Sequence, residues 1–174
     1  MERSIDRFYL HLISRNDLIP SNCKEKNLEV ILEKEPTVDF CKFLYKEVGR
    51  DFFWRDRLKW RWSDQDWLNY ISNDLFKLYI LKQNNELAGY YELLYDPKIP
   101  SMEIPYFGIF KEFFGKGIGG YLLTDAILTS FNQRINKVWV HTCTLDHANA
   151  LKNYLARGMK IFKTEKIFFN PENL

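Results

Sequence analysis

No Gly-Lys-Ser or Gly-Lys-Thr triplet occurs in the 174 residues, so the hydroxyl that a P-loop uses to hold magnesium is missing and triphosphate chemistry of that kind is excluded. Cysteine is scarce. Cys23, Cys41 and Cys143 are an odd number with no metal-ligand spacing, so no metal is expected and a reducing cytoplasm is the expected compartment. No apolar run reaches the roughly 18 residues that would span a bilayer, and no signal-like segment opens the chain, which argues against a membrane protein. The net charge is only +2, from 25 basic and 23 acidic residues, so whole-protein electrostatics favour neither nucleic acid nor an anionic membrane as a partner. Linkers rich in Pro, Gly or Ser, internal repeats and low-complexity tracts are also lacking, and residues 1–174 read as a single domain, a monomer or a homodimer.

What is present suits a large core: 46% of residues are hydrophobic and 17% aromatic. Phe8–Ser14 and Leu28–Leu32 alternate as strands do, and Pro36-Thr37 opens a helical stretch through Phe40, Phe43, Leu44 and Val48 that Gly49 ends. Ser63 begins a second helix, with Asp66 completing a capping box. Leu78–Leu81 and Leu87–Leu94 flank the polar turn 83–86 as a hairpin, and Met102–Phe110 follows as a third strand.

Phe114-Gly115-Lys116-Gly117-Ile118-Gly119-Gly120 then lies between that strand and a helical pattern carried by Ile118, Leu122, Ile127 and Phe131. Glycine at this spacing lets the backbone approach an anion, while the unpaired N–H groups of the following helix aim at the same point and Lys116 adds a charge. A Rossmann fingerprint would stand in the first βα unit with an acidic residue about 20 positions on, and this loop does neither. Downstream, the strand-like Val138–Thr144 leads into Asp146-His147-Ala148-Asn149-Ala150-Leu151-Lys152-Asn153-Tyr154-Leu155-Ala156-Arg157-Gly158-Met159. Asp146 can cap a helix there, Leu151, Tyr154 and Leu155 share one face, and Gly158 suits a left-handed C-terminal position.

These two segments resemble the GNAT (GCN5-related N-acetyltransferase) superfamily. The loop is similar to its Gln/Arg-x-x-Gly-x-Gly/Ala pyrophosphate motif, with Phe114 where a long polar side chain is usual. The second segment looks like the family's Asn-x-x-Ala-x-x-Leu-Tyr-x-x-x-Gly-Phe. Ala150, Tyr154 and Gly158 are in register, while His147, Asn153 and Met159 replace the customary residues. The string His-Thr-Cys-Thr-Leu-Asp-His at 141–147 also resembles one bacterial subgroup. The resemblance implies an α/β fold with a mixed, mostly antiparallel central sheet flanked by helices, in which a splayed strand pair forms a cleft for acetyl-CoA. It implies transfer of the acetyl group directly to an amine of a small molecule or peptide.

Such a reaction needs a base for the ammonium, donors for the carbonyl oxygen as it becomes negative, and a proton for the departing thiolate. By family register Glu103 is the first base candidate and Glu92 the second, either of them acting through a water; the other reading of each is an ordinary solvated carboxylate. Tyr154 is the acid candidate, because a phenol keeps its proton at neutral pH; otherwise it is a core aromatic. For the cofactor the resemblance implies Phe107, Gly108, Ile109, Phe110 and Lys111 along the splayed strand, with a free N–H near Gly108 or Ile109. It adds Phe114, Gly115, Lys116, Gly117, Ile118, Gly119 and Gly120 at the pyrophosphate and Tyr154 on the last helix, at whose first turn His147 and Asn149 are expected to hydrogen-bond the cofactor or cap the helix. His141 and Cys143 invite a Cys-His nucleophile, which the absence of an orienting third group disfavours.

For the acceptor, Trp54, Arg55, Arg57 and Trp60, in the aromatic-basic run 52–62, are the candidates, with Glu92 beside them. The same run reads equally as a loop pinned by buried aromatics. Two other functions stay open: a CoA-binding regulatory domain without turnover, and a transferase using a longer acyl-CoA.

Overall fold

The computed structural model describes residues 3–52, 54 and 58–169. Two helices start where the sequence places caps. Helix α1, Val38–Gly49, follows Thr37, whose hydroxyl accepts from the Phe40 N–H, and α2, Asp64–Ile71, carries the Ser63/Asp66 capping box with both reciprocal bonds formed. The strand expected at 8–14 is Arg3–Leu12 (β1), because Ser14 turns to cap a short 3-10 turn at Arg15–Asp17. Strand β2 is Leu28–Glu33, and β3, Phe76–Gln83, and β4, Glu86–Asp96, form the expected hairpin around Asn84 and Asn85, both with positive φ. Helix α3 spans Ile118–Ser130, β7 Lys137–Cys143, α4 Ala150–Ala156 and β8 Lys160–Phe169.

The third strand is not continuous as the sequence suggested. It breaks into β5, Ser101–Glu103, and β6, Phe107–Ile109, on either side of Pro105. Leu94 pairs with Glu103, and Tyr91 pairs with Phe107, so three steps along β4 face four along its partner. One residue is therefore extra in Ile104–Tyr106: a β-bulge, at the one residue of the segment that has no N–H to give to a ladder. Asp146 also departs from expectation. Its carboxylate accepts from the Thr142 hydroxyl and the Cys143 N–H and so closes the turn after β7, while α4 starts at Asn149 without a side-chain cap. Leu155, on the same helix, is exposed rather than packed with Leu151 and Tyr154.

The sheet runs β2-β3-β4-β5-β7-β1-β8, with β6 paired to β4, and every pairing is antiparallel except β5 with β7. The fold is thus α/β, with a mixed, mostly antiparallel sheet between two helical layers. One face buries Leu10, Met102, Ile104, Val138 and Val140 against α3 and Tyr154 of α4. The other buries Leu78, Ile80, Tyr90 and Phe110 against α1 and α2.

Two glycines allow β4, β6 and α1 to come together. A Cβ on Gly108 would overlap Cγ1 of Val48 in α1, and one on Gly89 would come within 2.5 Å of the Gly108 carbonyl oxygen. Gly108→Ala is therefore expected to lower unfolding stability by about 1–3 kcal/mol, as overpacking of a core does, and Val48→Ala in the same chain to restore part of it. Urea denaturation of the two single variants and the double variant measures this coupling.

Candidate active site

Strands β5 and β7 run side by side only as far as the pair Glu103 and Trp139, and the Ile104 N–H makes the last bond, 2.9 Å to the Trp139 carbonyl. Beyond it the bulge carries β6 away with β4 while β7 continues with β1, and the two part. A cleft of about 560 Å³ opens between them, with Ile104–Ile109 on one wall, Val140 and His141 on the other, and the 113–120 loop and α4 at its mouth.

The cleft edge of β6 is unpaired, since among the described strands β6 pairs with β4 alone. The Glu92 N–H bonds the Tyr106 carbonyl and the Phe110 N–H bonds the Ala88 carbonyl. Antiparallel alternation then aims the Gly108 amide at Tyr90 and leaves the N–H groups of Phe107 and Ile109 facing the cleft. At the mouth, Gly115 and Gly117 take φ of 80° and 75°, a region closed to most side chains, and Gly117 is the N-cap of α3 with no side chain capping it. The first N–H groups of α3 therefore reach the cleft without a side-chain partner, an anion site of the helix-terminus kind.

The expected cofactor residues divide clearly. Phe107, Gly108, Ile109, Phe114, Gly115, Gly117, Ile118, Gly119, Gly120, His147, Asn149 and Tyr154 line the cleft. Phe110 is buried on the α1 side against Phe43, Lys111 starts an exposed 3-10 turn, and the Lys116 ammonium lies 5.0 Å from the Phe113 ring; none of the three is on the lining. The His147 ring meets Phe114 and Phe52 edge to face at centroid distances of 4.9 and 5.7 Å, closing one end of the mouth. Asn153 was not anticipated. Its Nδ2 donates to the Gly119 carbonyl at 3.1 Å, tying α4 to the glycine loop, and its signal in the sequence was the replacement of the family's customary leucine.

Tyr154 enters the cleft from the α3 side, 6.2 Å from the Phe107 ring, and is only 6% exposed. Burial, then the Asp146 charge, pushes its phenol well above the ordinary value, so it is protonated at all physiological pH. Both glutamates lie on the opposite face of the sheet, and neither is on the lining. Glu103 is half-buried at the end of β5, just before the bulge; burial first, and the Glu92 charge second, raise its carboxyl from the ordinary range to about 7. Glu92 is 1% exposed, ion-paired to Lys59 at 3.1 Å and hydrogen-bonded by the Tyr70 hydroxyl at 2.7 Å.

Of the acceptor candidates, Trp54 lines the cleft and packs on Tyr106 at 5.0 Å, while Trp60 belongs to the cluster around Tyr45 and Lys46. Arg55 and Arg57 lie outside the described residues. His141 lines the cleft, but Cys143 is buried with Ile5 and Ile167.

Parted strands, free edge amides and a glycine-bounded helix terminus make a cleft with donors for an amide-bearing arm and an anion. The model of the acetyltransferase (GNAT) family matches residues 41–159, and the chain belongs to that family. Proteins of this family bind acetyl-CoA and use an acceptor substrate. Among solved structures, a GCN5-related N-acetyltransferase from Sphaerobacter thermophilus superposes with a TM-score of 0.70 at 12% identity, over 96% of this chain and 51% of the other. One from Kribbella flavida gives 0.63 at 11% identity, over 96% and 58%. An IAA acetyltransferase from Bacillus cereus gives 0.57 at 25% identity, over 78% and 79%. The chain thus spans between half and two thirds of the length of the first two, whose likeness is one of fold. No curated protein matches it. Among the described residues no helix is long and apolar enough to cross a membrane.

The residues fit the cofactor: edge amides of Phe107 and Ile109 for an amide-bearing arm, and the α3 terminus for a pyrophosphate. Gly117→Val is expected to abolish the thermal shift given by CoA, because a β-branched residue resists positive φ and would crowd the anion. Circular dichroism should show the fold retained.

Proposed function

We propose that this protein is an N-acetyltransferase that moves the acetyl group of acetyl-CoA directly to an amine of a small molecule or peptide. The observation that carries the reading is the convergence of free β6 amides and the uncapped α3 terminus on one cleft, with a protonated phenol on one side of the sheet and a near-neutral carboxyl on the other. Acetyl-CoA supplies the acyl group as a thioester.

Glu103 is the general base. A carboxyl near pH 7 is about half ionised in the cell, which suits a group that must take a proton from an ammonium and release it again. Since Glu103 stands behind the bulge rather than on the cleft wall, a water relays the proton. The Phe107 or Ile109 N–H donates to the carbonyl oxygen as charge develops there, the role of an oxyanion donor. Tyr154 gives its proton to the departing sulfur. The C–S bond breaks as the N–C bond forms, and the amine's proton leaves through Glu103. Cys143, sealed in its own small cluster, offers no acyl-enzyme route.

On the acceptor side, Phe52, Trp54 and Tyr106 form an aromatic wall. With Arg55 and Arg57 near it in sequence, the acceptor is a primary amine carrying an aromatic or anionic group. The resemblance of the 141–147 string supports membership of a bacterial subgroup, and the scarce cysteines support a cytoplasmic setting.

Glu103→Gln is expected to lower turnover at least about 10²-fold and to remove the acidic limb near pH 7 from the pH–rate profile. Its stability effect has a definite sign. The folded carboxyl titrates at about 7 and the unfolded one near 4.5, so ionisation opposes folding, progressively from pH 4.5 to 7 and fully above 7. Relative to wild type, Glu103→Gln should thus melt higher at pH 8 than at pH 4. Tyr154→Phe should cut turnover while the CoA-induced thermal shift remains. At 100 times the dissociation constant, that shift corresponds to about 2.7 kcal/mol.

A further inference from the structure

The ion pair beneath the base is unusually enclosed. Lys59 is 3% exposed, and its ammonium lies 3.8 Å from the Tyr70 ring centroid, 4.1 Å from Tyr106, 4.6 Å from Trp67, 5.3 Å from Trp62 and 5.5 Å from Tyr45. Its carboxylate partner, Glu92, receives Lys59 at both oxygens, 3.4 and 3.1 Å, and the Tyr70 hydroxyl at 2.7 Å. Glu103 contrasts with it: no hydrogen bond or ion pair to its side chain exists among the described residues. The register explains how the two meet. Leu94 faces Glu103 across the strand pair, and Glu92, two residues earlier on the same face, is its diagonal neighbour, a separation of about 7–8 Å.

Resting on the assignment of Glu103 as base, we propose that Lys59 and Tyr70 are positioning residues that hold the Glu92 carboxylate beside Glu103, and that this buried ion pair sets the proton affinity of the Glu103 carboxyl. A buried carboxylate needs partners, and Glu92 has a cation at both oxygens and a phenol donor. Burial lowers the proton affinity of Lys59, while the Glu92 carboxylate and the negative faces of the rings act against that loss. The titratable groups on this face of the sheet are Glu92 from β4, Tyr70 from α2, Tyr106 from the bulge, and Lys137 and His141 from β7 on either side of Trp139, with Lys59 behind Glu92. Of these only Glu92 acts on the Glu103 carboxyl, after burial itself, and Glu92 and Glu103 both act on the Tyr70 phenol. Among the described residues one carboxyl has partners and the other none, the asymmetry by which paired carboxyls take separate roles. A purely structural ion pair would leave the proton affinity of Glu103 unchanged when replaced by apolar residues of equal volume.

The test follows the side-chain carboxyl carbons of Glu-labelled protein by NMR from pH 4 to 9, without cofactor or acceptor, with the Glu103 signal identified by its loss in Glu103→Gln. In wild type, Glu103 should titrate near neutral. Glu92→Gln should lower the proton affinity of Glu103 at least tenfold. Should that variant fail to fold, the paired Lys59→Met/Glu92→Leu variant should still lower the Glu103 value. A Glu103 signal that titrates alike in wild type, Glu92→Gln and the paired variant would overturn the inference. Because the signal is read without turnover, these results are separate from the assignment of the base, which fails if Glu103→Gln turns over like wild type.

Discussion

A single extra residue in the strand facing β4 is the constraint on which the rest depends. With Glu103 opposite Leu94 and Phe107 opposite Tyr91, the chain between them must bulge, and Pro105 stands there because it has no amide to lose from a ladder. Past the bulge β6 stays with β4 and abandons β7, so the sheet is continuous at one end and open at the other. An open sheet would normally expose a hazardous edge. Here the edge lies inside the molecule, flanked by α3 and α4, and its free amides become donors for a ligand rather than for another chain.

The same parting aims the glycine loop. Helix α3 can begin in the opening because Gly115 and Gly117 take left-handed conformations, and because Asn153 of α4 holds the Gly119 carbonyl. The N-terminus of α3 then points into the cleft mouth instead of into solvent, and its uncapped amides, costly in a dry core, are matched to an anion. Close packing on the far side has its own requirement. Only a residue without Cβ lets β6 lie against Val48 of α1, which brings the aromatic layer of α1 and α2 up to the wall of the cleft.

Two electrostatic environments result on the two faces of one sheet. The α3 face is apolar, and Tyr154 in it keeps its proton. The α1/α2 face contains the Lys59–Glu92 ion pair, its lysine enclosed by five rings, and next to it a glutamate with no partner among the described residues. Such a pair costs desolvation energy that well-packed hydrophobic residues would not, so its presence calls for a role beyond holding the fold together.

Local chemistry was readable from the chain itself. Thr37, Ser63 with Asp66, and Gly158 mark helix boundaries through contacts spanning a few residues, and the glycine spacing at 115–120 marks an anion loop because positive φ is a property of single residues. The family, too, was visible in two short segments. What the sequence could not reveal depends on partners far apart along it. Met102–Phe110 reads as one strand, and that the ladder gains a residue around Pro105 is a relation between β4 and β5–β6. Asp146 looked like a helix cap and instead binds the preceding strand end, since a carboxylate accepts from whichever amides the turn presents. Above all, family register ranks Glu103 before Glu92 but says nothing of their surroundings. Only tertiary structure places Lys59, 33 residues before Glu92, against one carboxyl and leaves the other without a partner among the described residues, and that contact is what distinguishes them.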